Sequence, residues 1–434
     1  MVNNTRLTVI ATDLSAHGEG VFRNEGRVGF VPGLLPGESG EIDAVITGNV
    51  WRGTLRRRLS DAPERTPHPC PHADKCPGSR YGCIERSAEL SYKHAHAQET
   101  LKRIGGIEWE IEPPITEGPA WEYRNKIELS VSSGQNPKIG YHPTNNAALV
   151  VPVNDCMLAM EPLRQLYREL LVAMRNDIKQ LPALLARISL RVGDGMHLHF
   201  TTRENLPVAV KTQLSGFFHE YPGLVGISSA PLSRDSEKNA ASTTHTIAGE
   251  LLLSGDDGIA IHPLTFRQVN DAGAKAMVNA VEVWSRDITT TMFDLYGGYG
   301  PFARRIAKSG TEVLVLERSV TAIQDGTRAQ KKVKLPIQYF GCDVVKDFPT
   351  IEPALRPDGI LLDPAYDGAG AVVMKEILRR KPRKIAYIAC HGAALARDLK
   401  ILLASERYQL TRIRLYDMFP RTPDLEWFAE LERK

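Results

Sequence analysis

From about residue 264 the chain settles into an alternation that few folds accommodate. Apolar runs at Thr291–Leu295, Val313–Glu317, Gly359–Asp363 and Lys384–Ala389 are separated by helical stretches at Gln268–Trp284, Pro301–Lys308 and Gly370–Leu378. Strand and helix in turn imply an α/β fold, a parallel sheet wound on both faces. Such sheets do their chemistry at the carboxyl ends of their strands. The last run, in "KIAYIACHGAALARDL", ends at Ala389 and delivers Cys390, His391 and Gly392 to that edge. A thiol kept for its volume belongs inside a run, and this one sits at its mouth.

A second stretch points to the same edge. "FDLYGGYGPFA", Phe293 to Ala303, joins a strand to a helix through glycines and fits G-x-G-x-x-A from Gly298. Glycines let a backbone approach a ligand, and a helix N-terminus favours polar or anionic groups. Glu317 closes the next strand, 17 residues after Gly300, where an acid can bind ribose hydroxyls. Asp343 and Asp363 stand at or near later strand ends, where each also reads as a helix cap or turn residue. Together they place a nucleoside-bearing cofactor at the sheet edge. By itself the glycine turn admits NAD, hence a dehydrogenase, as well as S-adenosylmethionine.

A chain of 434 residues holds roughly two to three domains. The first 60 residues carry about five short strands rich in turn signals, which suggests a small OB-like β-barrel, a common nucleic-acid binder. Arg52, Arg56, Arg57 and Arg58 crowd its end, and read either as a solvated strand edge or as a phosphate-contacting patch. Ala62–Arg86 is rich in Pro and Cys, and Ser87–Ile104 reads as a helix closed by Gly105-Gly106. Residues from about 121 to 250 mix short strands (Lys126–Val131, Ile188–Val192, Leu198–Thr201) with a helix near Glu161–Lys179, and Ser228–Thr246 reads as a polar hairpin or loop. The expected division is 1–60, 61–263 and 264–434, with the helix near 87–104 packing on the last unit. No apolar run reaches membrane-span length and "MVNNTRLTVI" lacks signal-peptide features. A cytoplasmic location follows, in which six cysteines suggest ligands or a nucleophile rather than disulfides.

Several ordered tokens carry a resemblance: "HGEGVF" with "VPGLLPGE", "YRNKIEL", "FRQVN", "DLYGGYGPF", "LLDPAYDG", the "C…LARDL" segment and "DMFPRTPDLE". From about Leu7 to Leu431 the chain resembles the RNA uridine-5-methyltransferase family. It is most similar to the ribosomal-RNA branch, which carries an N-terminal TRAM barrel and an iron–sulfur cluster. The resemblance implies a C-terminal Rossmann-like domain that binds S-adenosylmethionine through Gln268, Tyr296, Glu317 and Asp363, with Gly298 and Asp343 at the same site. It implies that Cys390 is the nucleophile and Glu426 the base. A thiolate adding to uracil carbon 6 makes carbon 5 nucleophilic enough to take a methyl group, and a base then removes the carbon-5 proton.

The same resemblance gives Cys70, Cys76, Cys83 and Cys156 as ligands of a 4Fe–4S cluster, although four thiolates also suit tetrahedral zinc. The third spacing is longer than the family's. Cys342 reads as a packing residue. The implied partner is RNA, large-subunit ribosomal RNA with a flipped uridine, bound by a monomer. A transfer-RNA uridine methyltransferase and a non-catalytic RNA-binding or ribosome-assembly factor are the alternatives. The chain departs from the family at three places. Pro301 replaces an Asn, Ala365-Tyr366 replaces Pro-Arg after Asp363-Pro364, and His391-Gly392 replaces Asn-Pro after Cys390. His391, next to the thiol, is expected to lower its pKa.

Overall fold

In the first 58 residues apolar positions alternate with polar ones, and the strands fold so that one face of each is buried. The protein was analysed as a computed structural model, which describes residues 5–143, 146, 148–232 and 243–434. Strands β1 (Thr5–Ile10), β2 (Asp13–Leu14), β3 (Gly20–Asn24), β4 (Arg27–Val31), β5 (Ser39–Thr47) and β6 (Val50–Arg58) form one sheet in the order β1-β5-β6-β4-β3-β2. Its core is Val9, Phe22, Val31, Leu34, Ile42 and Trp51. The sequence suggested about five strands, and the extra one is the two-residue β2.

The arginines of β6 do not form a bare cationic patch. Arg52 pairs with Glu19 at 3.5 Å, Arg56 with Asp43 at 3.1 Å, Arg57 with Glu41 at 3.2 Å, and Arg58 with Asp61. Exposed pairs of this kind contribute at most about 1 kcal/mol each, but they cancel the local charge. Two of these carboxylates come from β5 and Glu19 comes from far along the chain, so the sequence run alone could not reveal them.

An irregular segment then leads to α1 (Arg86–Thr100), extended by one π-helical turn, Leu101–Gly105. Glu85 caps α1 by accepting from the amides of Ser87 and Ala88. Ala97 and Leu101 pack into the core of the C-terminal sheet.

The middle of the chain builds a second sheet from β7 (Lys126–Val131), β8 (Ile139–Tyr141), β9 (Val151–Pro152), β10 (Leu185–Val192), β11 (Met196–Thr202), β12 (Leu224–Pro231) and β13 (His245–Gly249). The order is β13-β12-β11-β10-β7-β8-β9. β12 and β13 pair antiparallel, as the hairpin reading of Ser228–Thr246 expects, while residues 233–242 of that span lie outside the described residues. One face of this sheet is apolar (Leu129, Ile188, Leu198, Phe200) and is covered by α2 (Glu161–Asn176) and α3 (Val208–Glu220). Alternation puts Lys126, Glu128, Ser189, Arg191, His197, His199 and Ser228 on the other face. There Arg191 donates to the carbonyl of Thr265 at 2.8 Å.

That polar face carries a consequence for stability. Burial pushes His197 and His262 down to about 4 and His199 down to about 3, and the positive charge of Arg191 or Lys126 nearby adds to the effect. An unfolded histidine takes up a proton near pH 6.5. Below that pH the unfolded chain therefore binds protons that the folded chain refuses, and stability falls. Three such groups together should cost up to about 4 kcal/mol per pH unit between pH 6 and 4. Urea unfolding followed from pH 7.5 to 4.5 measures this slope, and His199→Gln should remove about a third of it.

The C-terminal sheet follows a short hairpin, β14 (Leu253–Ser254) with β15 (Ala260–Ile261). Its strands are β16 (Thr291–Leu295), β17 (Glu312–Glu317), β18 (Ile337–Gly341), β19 (Gly359–Leu362), β20 (Lys384–Ala389), β21 (Tyr408–Tyr416) and β22 (Glu426–Arg433). They run in the order β18-β17-β16-β19-β20-β22-β21; the first five are parallel and the last two antiparallel. Helices α4 (Asp271–Ser285), α5 (Pro301–Ala307), α6 (Val320–Val333), α7 (Gly370–Arg380) and α8 (Gly392–Leu403) flank it. Phe293, Leu295, Leu316 and Tyr387 face a core shared with α7, α8 and α1, while Met292, Val313, Leu361 and Ile388 face one shared with α4 and α5. The sheet is therefore doubly wound. No helix among the described residues is long and apolar enough to cross a membrane.

Candidate active site

The glycine turn after β16 is built around unusual backbone. Tyr296 adopts φ 61°, a region that bulky residues rarely occupy. Its amide is held by the carbonyl of Leu316 at 2.8 Å, and its hydroxyl is buried without a hydrogen-bond partner. A Cβ at Gly297 would stand 2.7 Å from the Asp294 carboxyl, while Gly298 (φ 57°) faces open space. The Gly298 amide donates to Glu317 at 3.0 Å and the Ser319 amide to the other oxygen at 2.6 Å. Glu317 is thus fixed at the end of β17 with lone pairs to spare.

Carboxyl groups crowd this edge. Asp294 is wholly buried, and burial with Asp363 and Glu317 nearby holds it well above the usual range. Neither of its oxygens makes a hydrogen bond of normal geometry, although the Ala303 amide at the start of α5 is near enough to weigh on its charge. Asp363 is pushed up to about 7 by burial and then by Glu317. Asp343 caps the turn 344–347 by accepting from the amides of Val345 and Lys346, so the cap reading of this residue holds. Gln268 lies in the strap before α4, with its carbonyl accepting from Asn125 at 3.0 Å.

Cys390 and Glu426 meet through the antiparallel end of the sheet. Ala389, the last residue of β20, pairs with Trp427; Cys390 follows it, close enough to Glu426, the first residue of β22, for that carboxylate to act on the thiol. Glu426 is 2% exposed and opens a strand; it is not a solvated helix acid. Burial, then Asp363 and Asp424, holds its carboxyl well above the usual range. Burial, then Glu426 and Asp363, pushes the Cys390 thiol up to about 12. The expected lowering by His391 is therefore corrected: the imidazole is turned onto the ring of Tyr366 instead. Gly392 fits its place, because a Cβ there would meet the Trp427 ring at 2.4 Å.

Several residues that build this site went unassigned in the sequence. Asp398, fully buried, accepts from Tyr387 at 2.7 Å and from the amides of Ala369 and Gly370 at 3.0 Å each. It fastens the loop after Asp363 to α8. Asn125 binds Gln268 and Asp271, and Asn270 binds Gly273 and Met418, so "YRNKIEL", "FRQVN" and "DMFP" meet as one joint. Lys93, whose side chain is 0% exposed, contacts Asp417 at 2.5 Å, Glu89 at 3.2 Å and the carbonyl of Phe419 at 3.0 Å. The only sequence signal was that these residues lie in the tokens, or, for Lys93, a charge on a helix with a weak apolar stripe.

The other cysteines lie in different surroundings. Cys76 and Cys156 pack against the core of the central sheet, and Cys70, Cys76 and Cys156 are close enough to feel one another's charge. The amides of His72 and Met157 point at the Cys70 sulfur and that of Gly78 at the Cys76 sulfur. Cys83 instead packs with Tyr81 and Ile84, its thiol 3.9 Å from the carbonyl of Arg80. Among the described residues no three or more His, Cys, Asp or Glu side chains are grouped to hold a metal ion. As placed, the four cysteines do not fit a 4Fe–4S ligand set. Cys342 packs against the core beneath α7 and α8.

No family model matches the chain. Among curated proteins it is 30% identical to the 23S rRNA (uracil(1939)-C(5))-methyltransferase RlmD of Pectobacterium atrosepticum, over 98% of this chain and 93% of that one. It is equally 30% identical to an uncharacterized RNA methyltransferase of Nostoc sp., over 98% and 96%. Among solved structures it matches the Pyrococcus abyssi tRNA (uracil-54, C5)-methyltransferase in complex with S-adenosyl-L-homocysteine, with a TM-score of 0.74, 22% identity, and coverage of 98% and 100%. That structural likeness speaks for the fold, while the full-length sequence matches carry the lineage. The chain belongs to the RNA uracil-C5-methyltransferase family.

Proposed function

We propose that this protein uses S-adenosylmethionine to form 5-methyluridine in RNA, with 23S ribosomal RNA as the substrate. The observation that carries the reading is the placement of Cys390, just past the end of β20, near the buried acid Glu426 at the start of β22 and beside Asp363. A nucleophile and a base side by side at the carboxyl edge of a doubly wound sheet suit addition to a pyrimidine better than hydride transfer.

The donor edge fits its ligand. The open backbone at Gly298, the amide-anchored Glu317, the unpartnered Tyr296 hydroxyl and the raised carboxyls of Asp294 and Asp363 suit ribose hydroxyls and a cation. Gln268 and Asp343 complete the proposed donor contacts from the rim. When bound, S-adenosylmethionine supplies an electrophilic methyl group on a positively charged sulfur. Cys390 then adds as thiolate to carbon 6 of an extruded uracil, and the electron pair moves to carbon 5, which takes the methyl group. Glu426 removes the carbon-5 proton, the carbon 5–carbon 6 double bond re-forms, and the thiolate leaves. A carboxyl that binds a proton strongly suits this last role.

The reading extends to the rest of the chain. We assign residues 1–60 to a TRAM-type barrel and 61–263 to an RNA-binding unit, in a protein that acts as a monomer. In the cysteine segment Cys70, Cys76, Cys83 and Cys156 are the candidate iron–sulfur ligands; the first two and Cys156 lie near one another, and Cys83 lies apart. Iron and sulfide analysis of anaerobically purified protein decides this. Stoichiometric iron that is lost in both Cys76→Ser and Cys83→Ser means that the 77–82 loop closes on four thiolates.

A 5-fluorouridine-containing 23S ribosomal RNA fragment tests the reaction. Fluorine at carbon 5 blocks the final elimination, so a covalent protein–RNA adduct should accumulate with S-adenosylmethionine and vanish in Cys390→Ala. An adduct that persists in Cys390→Ala, or none with wild type, overturns the proposal.

A further inference from the structure

Two of the positions at which this chain leaves its family's pattern, Tyr366 and His391, touch each other. Their rings stack with centroids 4.0 Å apart and planes 10° from parallel. His391 Nδ1 lies 3.1 Å from the main-chain oxygen of Tyr366. A carbonyl only accepts, so Nδ1 carries the hydrogen and the neutral ring keeps Nε2 as an acceptor. Nε2 has no hydrogen-bond partner among the described residues.

The backbone on both sides is fixed. Asp398 holds the amides of Ala369 and Gly370, and Arg397 donates to the carbonyl of Asp367 at 2.9 Å. On the other side Gly392 lies against Trp427. Tyr366 is 53% exposed, and its hydroxyl is close enough to Cys390 for a thiolate there to act on it. The stacked pair is therefore an accessible, held wall next to the thiol.

A uracil with carbon 6 on Cys390 turns its opposite edge, which carries the N3–H donor, away from the sulfur. Cytosine has the same two carbons but an acceptor at N3. A lone pair at that edge accepts from uracil and opposes cytosine.

We propose that His391, held in one tautomer by Tyr366, accepts the N3 proton of the target uracil through Nε2 and so selects uracil over cytosine. This deepens the methyltransferase reading and rests on it. His391 contacts the base, and Tyr366 is a positioning residue.

The test uses the full-length protein, the mapped ribosomal RNA fragment with uridine or cytidine at the target, and radiolabelled S-adenosylmethionine. Wild type should favour uridine by about a thousandfold in kcat/KM, as sites built on a buried hydrogen bond do. His391→Ala should lower the uridine value about a hundredfold, with cytidine nearly unchanged, so the ratio collapses to about ten. His391→Asn keeps an acceptor oxygen and should retain most of the ratio. Tyr366→Phe keeps the stack and should retain most of the ratio, while Tyr366→Ala should fall between wild type and His391→Ala. Binding of S-adenosylmethionine by calorimetry should be unaltered in all of them, which separates base reading from misfolding. A uridine-to-cytidine ratio unchanged in His391→Ala overturns the inference while leaving the enzyme reading intact. No methyl transfer by wild type to either fragment overturns both.

Discussion

At pH 7.5 and without donor, Cys390 is expected to react with iodoacetamide about a thousandfold more slowly than a free cysteine, because only thiolates react and its thiol is pushed up to about 12. The rate should rise about tenfold per pH unit through pH 10. Part of the cause is removable. Glu426, Asp363 and Asp424 all oppose a negative sulfur, and a sulfonium cation placed among these groups offsets them. One unit charge at about 5 Å contributes about 3 kcal/mol at an effective dielectric of 20. S-adenosylmethionine should therefore speed alkylation about a hundredfold, whereas S-adenosylhomocysteine, of similar shape but without that charge, should not. Peptide mass spectrometry resolves Cys390 from the other five cysteines. Equal rates with the two ligands would mean that donor charge does not ready the nucleophile.

Lys93→Met should lower stability by about 3–5 kcal/mol, the usual cost of leaving a buried charge without its partner. The group at risk is Asp417, which also binds Arg86. The neighbouring Glu89 meets the amide of Arg421 at 2.7 Å and its side chain at 3.2 Å. This network joins α1 to the loop that precedes Glu426, so activity should fall together with the thermal midpoint. The double variant Lys93→Met/Asp417→Leu removes both charges and should recover most of the stability. Calorimetry on the single and double variants checks the sign. A double variant no better than Lys93→Met would show that packing, not charge, dominates there.

Four of the five parallel strands of the C-terminal sheet were legible as short apolar runs separated by helical periodicity, while β18 and the helix before it were not. Cys390 stood out by its place at a strand end. The antiparallel pair β21–β22 was not legible. "DLEWFAELERK" is rich in good helix formers, and pairing with β20 and β21 holds it extended, so tertiary contacts override local propensity. Glu426 was accordingly reachable through resemblance alone, since its burial depends on that pairing. The pairing of the β6 arginines was not legible for a related reason: Asp43 and Glu41 come from β5, and Glu19 from far along the chain. His197, His199 and His262 gave no signal, being brought together by a strand face and a distant strap. The third spacing of the cysteine segment did carry a warning, and Cys83 is the member that lies apart.

The antiparallel register of β20 and β22 has a mechanical consequence. Glu426 opens β22 and Cys390 directly follows the last residue of β20, so the two proposed reacting groups are tied to one hydrogen-bonded frame. On the proposed reaction, the rearrangement falls to the RNA, whose uridine would turn outward into a frame that is already set.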